Sequence, residues 1–205
     1  MAVPEIIPYD RAAAVRYAHR WAYGRNPRFY NFDELGGDCT NFASQCLYAG
    51  TGIMNYAPTF GWYYISPDDR APAWTGVPYF YNFLTRAEED SGPFGTQANL
   101  RMLMPGDFAQ LRFSYDVFGH TPVIVEVGSP PSLDNILVAA HSQDSDYRPL
   151  STYVYQEIRF IHILGARRQN EGEGRPITQE ELPPEMRPRE GEELLSPEME
   201  IEEPT

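Results

Sequence analysis

The sequence predicts an α+β domain in which N-terminal helices pack on a small antiparallel sheet. Three observations predict it: two apolar stripes of helical period near the start, a change to short β-rich runs after Met104, and turn formers bounding each of those runs. At 205 residues the chain is long enough for one core. The boundaries are drawn at 1–168 for the folded domain and 169–205 for an acidic tail.

The first helix follows Asp10, a residue suited to the N-cap. Ala14, Tyr17, Ala18, Trp21 and Ala22 form one face, Gly24 is a stop and Pro27 lies beyond. The second helix opens at Cys39, with Phe42, Ala43, Cys46 and Leu47 on its inner face and Gly50 as its expected end. Residues 51–100 read as ordered, aromatic-rich loop around one helix, which Thr75 would cap and which carries Pro78 in its first turn. Four strands are then expected, in "FAQL", "HTPVIVEV", "NILVAAHS" and "QEIRFIHIL". The segment "GSPPSLDN" is the natural hairpin loop between the second and third. With that loop centred near Pro131, paired residues have numbers adding to about 262, which sets His120 opposite His141 to Gln143.

Charge is uneven. Of the net charge of −13, residues 169–205 carry −9, from 12 acidic and 3 basic side chains, with six prolines among them. Such a composition does not repay the entropy of ordering, so a disordered Glu/Pro-rich tail is expected, a passive solvated extension with docking to a basic protein partner as the alternative. There is no lysine and no basic stripe, which argues against nucleic-acid binding. No segment reads as a Sec leader or a membrane span, so a cytoplasmic or spore-associated location is expected over classical secretion.

Cys39 and Cys46 lie about 10 Å apart along a helix, beyond the reach of a disulfide, so both thiols are expected to be free. Cys39 sits where a helix N-terminus directs unpaired N–H groups at the sulfur and favours the thiolate; Cys46, two turns in, reads as core. Burial of Cys39 as a small apolar side chain is the competing reading. His120, at the start of an apolar run, is the candidate base. His141 and Asp144 compete to orient its imidazole. No spacing of Cys and His calls for a metal, and no cofactor is implied. The backbone N–H of Cys39 would hold an oxyanion, together with a side chain that the sequence does not identify.

The segments "YDRAAAVRYAHRWAYGRNPRFYNF", "GGDCTNFASQCLYAG", "GWYY", "PGDFAQL", "GHTPVIV", "AAHSQDSDYRPLS" and "RFIHI" resemble the putative amidase domain family of Firmicutes over roughly residues 8 to 164. The resemblance implies a papain-like cysteine peptidase fold, with Cys39 as nucleophile, His120 as base and the third member within "HSQD". It implies hydrolysis of a peptide or peptidoglycan-like amide through an acyl-enzyme. Asp38 resembles the acidic residue that precedes the cysteine in cell-wall peptidases and helps bind a substrate amine. A retained but non-catalytic binding module is the alternative.

Overall fold

A computed structural model describes residues 4–87, 89–114 and 116–169. The expected tail, from residue 170 onward, lies outside the described residues. Among the described residues the architecture is α+β, with four helices and a curled antiparallel sheet. Among the described residues no helix is long and apolar enough to cross a membrane.

Helix α1 (Arg11–Trp21) begins where Asp10 accepts a hydrogen bond from the Ala13 amide at 2.8 Å. Its Ala14, Ala18 and Ala22 positions are fully buried, while Tyr17 and Trp21 flank the core. Helix α2 (Cys39–Thr51) lies against it. Gly50 does not end α2, as the sequence led us to expect; Gly52, in the left-handed conformation, does. Gly50 serves close approach: a Cβ there would stand 2.3 Å from the Tyr9 ring and 2.7 Å from the Asp10 carbonyl. The aromatic segment holds two helices, α3 (Pro72–Thr75) and α4 (Val77–Leu84), with Gly76 in place of Thr75 at the start of α4 and Pro78 in its first turn.

The expected runs form β3 (Phe108–Arg112), β4 (Val123–Val127), β5 (Ile136–Ala140) and β7 (Glu157–Arg168). Three further strands escaped the sequence reading: β1 (Glu5–Ile7), β2 (Gly92–Ala98) and β6 (Ser145–Pro149). Each is short or carries Gly, Pro or charge, and each is defined by its neighbour more than by its own pattern. The long β7 is the organiser, pairing with β3 along its first half, with β1 along its last three residues and with β2 along most of its length. The order from β1 continues β7-β3-β4-β5-β6.

Val123↔Ala139 and Ile124↔Val138 both add to 262, the register inferred from the hairpin loop. That ladder stops at Val123, however, and Ser142 turns away at φ 69° towards β6. His120 instead makes an isolated bridge with Leu111 of β3. Pro122 explains the isolation: its carbonyl accepts from Ala109, but it has no N–H to return, which breaks the β3–β4 ladder.

The central strands are covered on both faces, hence their unbroken apolar runs. Phe108, Val123, Val125, Ala139, Ile161 and Ile163 face the helices with Phe42, Trp62, Trp74 and Phe80. Ala109, Ile124, Val138 and Phe160 face a smaller cluster with Leu103, Leu150 and Tyr153. A buried carboxylate joins α1 to the sheet. Asp107, from "PGD", binds Arg11 Nη1 at 2.7 Å, His162 Nδ1 at 2.7 Å and the amides of Met104 and Ile163.

Candidate active site

The approach to α2 is dictated by two glycines. Gly36 and Gly37 both have φ of 107°, a conformation that L side chains avoid, and together they turn the chain so that Asp38 becomes the N-cap. Asp38 is fully buried and does not cap α2 with its side chain. Its Oδ1 accepts from the Phe32 amide at 2.9 Å and from Asn41 Nδ2 at 2.8 Å. Oδ2 meets His141 Nδ1 at 2.6 Å, with Arg25 Nε at 3.5 Å. The Asp38 amide donates to Ser142 Oγ at 2.8 Å. The start of α2 is thus clamped to the β5–β6 turn.

Cys39 is the first residue of α2 and is 6% exposed. Burial pushes its thiol up from the ordinary range, and the Asp38 carboxylate adds slightly; the amide of Thr121 and the hydroxyl and amide of Thr40 oppose that rise. Thr40 Oγ1 lies 3.8 Å from the sulfur and 3.1 Å from Thr121 Oγ1. Gln110 Nε2 donates to the same Thr121 oxygen at 3.3 Å. The sheet segment holding His120 and the start of α2 therefore meet at the thiol. Thr40 and Thr121 were missed by the sequence reading, although each is the neighbour of a residue it singled out. Cys46 is fully buried in the main core, with its thiol pushed well up by burial, and both cysteines are free.

The His120 ring is 6% exposed and lies between Phe113 and Tyr153, with centroids 6.1 and 5.6 Å away. Burial, assisted by the positive charge of Arg148, pulls its pKa down to about 4. Nε2 is buried without a hydrogen-bond partner. Among the described residues no hydrogen bond joins the imidazole to the Cys39 thiol.

His141 and Asp144 do not meet His120. The His141 ring stacks on Phe42 at 3.9 Å, with its nitrogens bound to Asp38 and, at 2.8 Å, to the Trp21 carbonyl. Asp144 receives both terminal nitrogens of Arg25 at 2.9 Å, and Arg25 also reaches Asp33 at 2.6 Å. The structural reason is the end of the β4–β5 ladder, three residues before His120 could have come opposite this turn. His19 and His162 are each paired with a carboxylate, Asp146 and Asp107. No cluster of His, Cys, Asp or Glu suited to a metal occurs among the described residues.

Residues 8–164 match the family described as a putative amidase domain. The chain is 33% identical over 167 residues to the uncharacterized protein YhbB of Bacillus subtilis (strain 168), covering 76% of this chain and 50% of that protein. It thus spans about half the length of the curated relative it matches. No solved structure matches the chain significantly. With more than three quarters of its length covered by a single pattern, the chain belongs to the putative amidase domain family.

Proposed function

We propose that this protein is a cysteine-dependent amide hydrolase with a papain-like division of labour, acting on a peptide or peptidoglycan-like amide. The family's name supports amide hydrolysis as the reaction class. The observation that carries the mechanism is the junction at Cys39, where a thiol at a helix start lies 3.8 Å from Thr40 Oγ1, itself 3.1 Å from Thr121 Oγ1, and the residue before Thr121 carries an imidazole with an unpartnered Nε2.

In this reading His120, neutral at pH 7, removes the thiol proton as Cys39 Sγ bonds to the carbonyl carbon. The carbonyl electron pair moves onto oxygen and returns as the C–N bond breaks. His120 passes its proton to the departing amine, then activates the water that hydrolyses the thioester. The helix N-terminus stabilises both thiolate and oxyanion. Asp38 and His141 fix the start of α2, and Asp144 acts on it through Arg25, so these three position the nucleophile.

The low exposure of Cys39 and His120 favours a second reading, a non-catalytic binding module on the same body, with the acidic tail as its contact arm. Thiol labelling separates the two. A hydrolase is expected to be alkylated by iodoacetamide at Cys39, with the adduct absent from Cys39→Ala and retained in Cys46→Ala. Equal labelling of both cysteines, or labelling of neither in the folded protein, would favour the module.

A further inference from the structure

We propose that Tyr153 is a further catalytic residue, its hydroxyl donating a hydrogen bond to the carbonyl oxygen of the amide as Cys39 attacks. This rests on the hydrolase reading above. It supplies the side chain that the backbone N–H of Cys39 needs as a second oxyanion donor.

Buried polar side-chain atoms are nearly always hydrogen-bonded, so the exceptions point to function. Among the described residues five such atoms have no hydrogen-bond partner: Arg25 Nε, Arg168 Nε, His120 Nε2, Ser145 Oγ and Tyr153 OH. The two arginine atoms still face carboxylates, Asp38 at 3.5 Å and Glu5 at 3.1 Å. The other three face none, and they converge. The Tyr153 ring is 5.6 Å from that of His120, Ser145 lies near the phenol oxygen, and Tyr153 is within electrostatic range of the Cys39 thiol.

The ring is held firmly. Tyr153 is 7% exposed and packs in the second core cluster, and its amide donates to the Leu150 carbonyl at 3.2 Å. The Arg148 guanidinium covers one face at 3.7 Å and is itself tied to Thr152. The phenol hydroxyl, whose polar neighbours are the Ser145 hydroxyl and the Arg148 guanidinium, sits on a ring that cannot easily swing and is preorganised to donate. Burial raises the phenol pKa above its ordinary value, so the proton is present across the neutral range.

Two electrophiles test this without knowledge of the natural substrate. p-Nitrophenyl acetate acylates a thiol through a tetrahedral oxyanion: the S–C bond forms, the C–O bond breaks and p-nitrophenolate leaves. Iodoacetamide alkylates the same sulfur by direct displacement of iodide, with no oxyanion. Tyr153→Phe retains the ring and its stacking, so it should slow the p-nitrophenolate burst at Cys39 about a hundredfold while leaving alkylation unchanged and Tm unchanged or raised. A variant that slows neither reaction, or slows both equally, overturns the role of Tyr153 and leaves Cys39 as nucleophile. A burst that persists in Cys39→Ala overturns the hydrolase reading and this proposal with it.

Discussion

Acidification should weaken the fold through His120, and the size of its share follows from its burial. In an unfolded chain its imidazole titrates near 6.5, whereas in the folded protein it titrates at about 4. Between those values the unfolded state binds the extra proton, so unfolding free energy rises with pH through that window. The stabilising neutral form is fully present above pH 6.5 and is lost by about pH 4. A difference of about 2.5 pH units, at about 1.4 kcal/mol each, makes the His120 contribution about 3 to 4 kcal/mol. Urea unfolding of the wild type and of His120→Gln, repeated from pH 4 to pH 7.5, isolates it. The stability of the wild type relative to the variant should rise across pH 4 to 6.5 and then level. If His120 rested as an imidazolium beside a Cys39 thiolate, its folded pKa would be raised instead, and the wild type would lose its relative stability as pH rose above 6.5. A flat difference, or one of that opposite sign, would refute a neutral resting His120. The acid limb of kcat/KM should likewise fall near pH 4 and not near 6.5.

Three further outcomes follow from single contacts. Asp107→Asn leaves the buried carboxylate site of Arg11 and His162 without its charge and should lower unfolding free energy by about 3 kcal/mol, measured by urea denaturation. Gly50→Ala should destabilise by about 2 kcal/mol, although alanine favours helices, because the new Cβ meets the Tyr9 ring and the Asp10 carbonyl; a raised Tm would refute the packing argument. Asp38→Ala should cost about 3 kcal/mol and slow Cys39 alkylation, since His141, Arg25, Asn41 and the Phe32 amide all lose a partner; a variant of wild-type stability that only raises KM would return Asp38 to the amine-binding role its place in the sequence suggested.

Local pattern alone determined the parts of this protein whose driving force is local. The stripe through Ala14, Ala18 and Ala22, the Asp10 cap and the step from Gly-Gly-Asp to Cys39 are written at helical spacing, and the start of α2 follows from them. The β4–β5 register was also readable, because loop position and the two-residue period of a strand leave little freedom. Tertiary structure alone decided the rest. Strands β1, β2 and β6 exist because β7 and β5 offer them an edge, not because of their own residues. His141 and Asp144 were sought beside His120 by extending a ladder that stops at Val123, and they belong to the clamp on α2. The groups of the proposed site, Thr40 beside the thiol, Thr121 bonded to Thr40, and His120 packed near Tyr153, come from a helix start, a broken ladder and the end of a short turn distant in sequence. No spacing encodes such a meeting; it arises only when both faces of the sheet are buried and the polar atoms left between them must share one junction.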